Sequence, residues 1–98
     1  MEIKQINENH EKYINEILEL EKEVFGEKGA IDLWNLKPYI KYGKVFVFLQ
    51  GDRVIACSEL LKNWDKNTVY LYGFAVKKEV SGRGIGTEFL KTILETLK

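Results

Sequence analysis

Three glycines alternate with other residues in the stretch Glu79-Val80-Ser81-Gly82-Arg83-Gly84-Ile85-Gly86-Thr87. Residues of this kind suit the binding of a phosphate group. Without a Cβ, the backbone at Gly82, Gly84 and Gly86 can turn tightly and let a ligand approach the main chain. The apolar residues that follow, Ile85, Phe89, Leu90, Ile93, Leu94 and Leu97, recur at helical spacing, so the glycines run into a helix. The first turn of such a helix leaves amides unpaired, and its dipole adds partial positive charge there. A strand-like run, Thr68 to Val76, precedes the turn. Strand, glycine turn and helix start together make an anion site matched to phosphate or pyrophosphate. Arg83 adds a guanidinium at its rim, and the Thr87 hydroxyl is a further donor.

Two common phosphate loops do not fit. A Walker loop needs lysine and then serine or threonine after its last glycine, where this chain has Thr87-Glu88. A dinucleotide fingerprint needs the spacing G-x-G-x-x-G, whereas this chain reads G-x-G-x-G.

The loop must be held by the elements before it. Residues Glu2 to Ile6 suit a short opening strand, and Asn7 or Asn9 can cap a helix. Tyr13, Ile14, Ile17, Leu18, Leu20, Val24 and Phe25 carry that helix to Gly26 and Gly29. A second helix is expected from Ile31 to Tyr42, capped by Asp32 and kinked or broken at Pro38. Lys44 to Gln50 is apolar on both faces, as a strand covered on each side would be. Gly51-Asp52 fits a two-residue type II′ turn into a partner strand, Arg53 to Leu61. Asn63 to Asn67 forms a longer turn before the third strand of this meander, Thr68 to Val76. Trp34 and Trp64 are expected as core or lid aromatics, and His10 as a surface residue.

Composition narrows the class. At 98 residues the chain forms one domain, 1–98, which buries roughly 60–70% of its unfolded surface. Fifteen basic and fifteen acidic residues balance, which argues against a broad nucleic-acid surface. No apolar run is long enough to span a bilayer, and the polar N-terminus lacks the features of a signal peptide. Cys57, the single cysteine, lies in an apolar run and is expected to be buried. A cytoplasmic setting follows, and no metal-ligand spacing is present.

The loop resembles the coenzyme A signature of the GNAT N-acetyltransferases, Gln/Arg-x-x-Gly-x-Gly/Ala, here Ser81-Gly82-Arg83-Gly84-Ile85-Gly86 after Leu71-Tyr72-Gly73-Phe74-Ala75-Val76. The order of elements upstream is similar too. The resemblance implies an α/β GNAT-like (acyl-CoA N-acyltransferase) fold, a mixed and mainly antiparallel sheet flanked by helices, with residues 1–98 expected to be a single such domain truncated after the third helix and so incomplete at the C-terminus. It implies acetyl-CoA as cosubstrate and a small-molecule or peptide amine as acceptor. By the same resemblance, Arg83 to Thr87 hold the pyrophosphate, and Phe74, Ala75 and Val76 pair with the pantetheine arm. The chain departs from the family pattern with Ser81 in the position usual for Gln or Arg. It departs again where some members carry a catalytic glutamate, a position occupied here by Tyr70. Glu59, on the preceding strand, is the other candidate base, either half-buried beside Leu60-Leu61 or an edge carboxylate in water. The open edge of the Thr68–Val76 strand suggests a homodimer. The competing reading is a non-catalytic coenzyme A-binding or protein-interaction module derived from the same domain.

Overall fold

The computed structural model describes residues Met1–Lys98. Strand β1 (Glu2–Gln5) leads into helices α1 (Glu11–Gly29) and α2 (Leu33–Tyr42). Strands β2 (Lys44–Gln50), β3 (Arg53–Lys62) and β4 (Val69–Val76) follow. One 3-10 turn (Lys78–Val80) then precedes helix α3 (Ile85–Thr96). The strands lie in the order β1-β2-β3-β4, and every pairing is antiparallel, in keeping with the mainly antiparallel sheet expected.

The apolar residues of β2 alternate between two layers, as its two-faced pattern requires. Val45, Val47 and Leu49 pack beneath α1 and α2 with Ile14, Ile17, Leu20 and Leu36. Phe46 and Phe48 face the other side and meet Ile85, Phe89 and Ile93 of α3. The Phe48 and Phe89 rings stack at 5.1 Å, fixing α3 on the sheet. Leu90 and Leu94, expected in the apolar stripe of α3, are instead 38% and 55% exposed. The contact stripe is narrower than the sequence pattern because the Ile85-Phe89-Ile93 row, continued by the partly buried Leu97, is the one that packs on the sheet.

Two irregularities set which side chains face which layer. The pairing slips once between β2 and β3, so that Val54 faces α1 while both Ile55 and Ala56 face α3. A bulge of this kind resets the alternation of the strand. Cys57 then returns to the α1 side, and Glu59 with it. A second slip, opposite Glu59 and Leu60, leaves Tyr72 of β4 without a register partner.

Other details depart from expectation. Neither Asn7 nor Asn9 caps α1; His10 occupies the cap, and its Nδ1 accepts a hydrogen bond from the Asn7 amide at 3.0 Å. Gly26, at φ 77°, breaks α1 before its last turn. Asp32 does cap α2, its Oδ1 accepting from the Asn35 amide at 2.8 Å. Yet α2 continues through Pro38 without a break. A proline there forfeits one intrahelical bond, and the Asp32 cap and the Gly43-to-Tyr39 bond hold the helix at its two ends. Trp34 and Trp64 are 80% and 100% exposed, so neither is a core residue. The Gly51-Asp52 turn forms as expected. Gly51 has φ 64° and Asp52 does not share the positive φ, which excludes a type I′ turn.

Candidate functional site

The glycine turn lies on the surface at the end of β4. Its approach is tied down by the Lys78 amide, which donates to Glu23 of α1 at 2.9 Å, and by an Arg53–Glu79 ion pair. Gly82 and Gly84 take φ of 84° and 79°, and Gly84 forms the left-handed cap of α3. A Cβ at either would meet no protein atom, so these positions need glycine for their backbone angle rather than for space. Gly86 differs: its φ is not positive, and a Cβ there would make ordinary van der Waals contact with Val76 at 3.4 Å and Phe74 at 3.6 Å, so neither backbone angle nor space within the protein demands glycine at this position.

The outcome is a row of free donors. None of the backbone N–H groups from Gly82 to Thr87 has an acceptor within the protein, and the first backbone bond of α3 runs from Glu88 N to Gly84 O. No side chain caps this helix. Arg83 is exposed and forms no ion pair. Ser81 and Thr87 are also exposed, and Ile85 is buried. Beside the turn, Phe74, Ala75 and Val76 pair with β3 on one edge only. The other edge of β4 is free, and it leads from the turn towards Gly73 and Tyr72.

There it meets a cleft of about 610 Å³ between α1, α2 and β4. Glu21, Tyr39, Glu59, Tyr72, Gly73 and Phe74 are among its lining residues. Glu59 is only 2% exposed, so it is not the water-facing edge carboxylate weighed from the sequence. The bulge at Ile55 explains the difference, because strict alternation from Val54 would have turned Ser58 towards α1 and Glu59 away from it. Glu59 instead lies against Glu21 of α1. Burial first, and then the hydrogen bond and negative charge of Glu21, push its pKa up to about 9. Gly73 forms the floor of this pair, since a Cβ there would stand 2.7–2.9 Å from the Glu59 carboxylate.

Glu21 was not singled out from the sequence, although a signal existed. It falls on the Ile14-Ile17 row of α1, where an acid among apolar residues marks a buried carboxyl. The Glu21 and Glu59 carboxyl groups and Cys57 Sγ lie within 4.8 Å of one another, a convergence the spacing along the chain does not reveal. Cys57 is fully buried, and burial followed by the charges of Glu59 and Glu21 raises its thiol pKa well above the ordinary value. Tyr70 lies elsewhere. It is 54% exposed, its hydroxyl accepts from Asn63 Nδ2 at 3.3 Å, and it does not line the cleft.

An antiparallel meander, a free-amide turn at the start of α3 and an adjoining cleft together define the acyl-CoA acyltransferase class of fold. The family description "Acetyltransferase (GNAT) family" matches residues 12–98, and the chain belongs to that family. No curated protein matches it in sequence. Among solved structures it is similar to the aminoglycoside acetyltransferase meta-AAC0020 from an uncultured soil metagenomic sample, solved in complex with trehalose. That match has a TM-score of 0.73 and 21% identity over 97% of this chain and 68% of the other. The GphF GNAT-like decarboxylase in complex with isobutyryl-CoA gives a TM-score of 0.81 at 11% identity, over 97% and 58%. An IAA acetyltransferase from Bacillus cereus gives 0.69 at 25% identity, over 97% and 56%. The chain therefore spans 56–68% of the length of these three proteins. A decarboxylase on the same fold also means that the fold alone does not fix the reaction. No helix is long and apolar enough to cross a membrane.

Proposed function

We propose that this chain is the catalytic unit of an acetyl-CoA-dependent N-acetyltransferase acting on a primary amine. One observation carries the reading: the unbroken row of unpaired amides from Gly82 to Thr87, at a helix start beside a free strand edge. A pyrophosphate satisfies such donors and gains from the helix dipole. In this reading Ser81, Gly82, Arg83, Gly84, Ile85, Gly86 and Thr87 surround the pyrophosphate. The pantetheine arm then adds to the free edge at Phe74, Ala75 and Val76. That direction carries the thioester towards Gly73 and the cleft in which Glu59 lies.

Glu59 is the base in this scheme, favoured over Tyr70, which stands outside the cleft. Once ionised, it takes a proton from the acceptor's ammonium group. The free amine attacks the acetyl carbon, the new C–N bond forms, and the C–S bond breaks. The thiolate leaves with the electron pair of that bond, and a second N–H proton reaches it through solvent. A raised pKa makes Glu59 a stronger base once deprotonated. Self-association would use the outer part of β4, Val69 to Tyr72, whose apolar side chains are 45–61% exposed. The bulge at Tyr72 separates that part from the pantetheine edge.

The test is release of free coenzyme A from acetyl-CoA over a panel of amines, read with a thiol reagent. Cys57 is the only cysteine and is buried, so the native protein contributes no background. Amine-dependent thiol release is expected. Binding of acetyl-CoA without release from any amine would leave a binding module instead.

A further inference from the structure

A buried carboxyl group is costly unless it is bonded or paired with a cation. Glu21 and Glu59 are 4% and 2% exposed, yet apart from the hydrogen bond the two acids share through one proton, the Oε2 atom of each is buried without a partner. The one bond from the backbone to the pair is Ile31 N to Glu21 Oε1, at 3.3 Å. No lysine, arginine or histidine lines the cleft. The other titratable side chains facing the pair are Tyr39 from α2, Tyr72 from β4 and Cys57 from β3, none of them a cation. Tyr39 and Tyr72 stand with ring centroids 5.7 Å apart at the same cleft, offering aromatic surface beside the two acids. Two unpaired buried acceptors, aromatic walls and no built-in counter-charge are what an organic ammonium group requires.

We propose that the Glu21–Glu59 pair is the docking site for the acceptor's ammonium group, and that it selects small cationic primary amines over amines that also carry a carboxylate. The inference deepens the acetyltransferase reading and rests on it for the reaction, but ammonium binding itself needs no coenzyme A. Two carboxylates this close cannot both ionise uncompensated, so the empty pair keeps one proton at neutral pH. An ammonium group supplies a positive charge and N–H donors for both unpaired oxygens. Its arrival releases the shared proton to solvent, and Glu59 becomes the free carboxylate that the reaction needs. The balance is one ammonium bound and one proton released. A second negative charge on the ligand would meet two buried acids and no cation.

The experiment is calorimetric titration of putrescine into the full chain, alone and saturated with coenzyme A, at about pH 7.5 in two buffers of different ionisation enthalpy. The expected result is release of about one proton per amine bound, with glycine binding at least roughly tenfold more weakly. Glu59→Gln and Glu21→Gln should each abolish proton release and weaken putrescine by roughly tenfold or more, while acetyl-CoA binding is retained as the check on folding. Absence of putrescine binding in a protein that binds acetyl-CoA overturns the inference. Binding without proton release, unchanged in Glu59→Gln, overturns it equally. A sulfur-to-cadmium charge-transfer band on adding cadmium, lost in Cys57→Ser, would reassign the pair to a metal. Loss of acetyl-CoA binding with putrescine binding intact would instead count against the acetyltransferase reading and leave the ammonium site standing.

Discussion

Replacing Glu59 by glutamine should flatten the dependence of stability on pH. The folded protein holds the Glu59 proton with a pKa of about 9, against an ordinary value of 4.5. A folded-state pKa raised in this way makes the native state bind the proton more tightly than the unfolded chain does. Stability is therefore full at low pH and falls as pH rises from about 4.5 towards 9. Each pH unit inside that window costs at most about 1.4 kcal/mol, so the step from pH 5 to pH 7 removes up to roughly 3 kcal/mol. At 2% exposure, solvent does little to screen this cost. Glutamine keeps the shape of the protonated acid and can donate towards Glu21, but it has no proton to lose. Urea unfolding of both proteins at several pH values measures the difference, in which the titrations of all other groups largely cancel. The variant should be the more stable protein at about pH 8, and the gap should narrow to little near pH 5. Parallel pH profiles would refute the burial and pairing argument for Glu59.

Three further outcomes follow from the same geometry. Tyr70→Phe should leave acetyl transfer within about twofold of the parent, because removal of a true general base costs roughly 10²–10⁴ in rate; a loss of that size would move the base to Tyr70. Gly73→Ala places a Cβ 2.7–2.9 Å from the Glu59 carboxylate, so it should cost roughly 1–3 kcal/mol in urea unfolding and lower turnover with the displaced acid. Phe89→Ala removes a fully buried ring that stacks on Phe48, and should destabilise by roughly 3–5 kcal/mol, also read by urea unfolding.

Much of the scaffold was legible because each element carries a local signal. The bounds of β2 match the apolar run Lys44 to Gln50, and β4 differs from its expected run by one residue. The Asp32 cap and the positive φ at Gly51, Gly82 and Gly84 are likewise properties of short sequences. The acidic pair was only half legible. Glu59 could be named as a candidate, but its orientation depends on a one-residue slip between β2 and β3, which side-chain alternation cannot reveal. Its partner Glu21 comes from a helix far away in the chain, and only the packing of α1 across β3 brings the two together. Similarly, the apolar pattern of α3 marked more residues than the sheet covers, leaving Leu90 and Leu94 in the open.

The central claim is that the amides from Gly82 to Thr87 bind coenzyme A, and calorimetric titration with acetyl-CoA tests it most directly. Gly84→Val is the informative variant, because a branched side chain is strained at φ 79° by at least about 1–2 kcal/mol although space around it is open. Gly51→Val, strained in the same way at φ 64° in the turn between β2 and β3, is the control for a general loss of stability. Saturable binding to the parent and to Gly51→Val, lost in Gly84→Val, is the predicted result. No binding to the well-folded parent, or equal binding to Gly84→Val, would contradict the account.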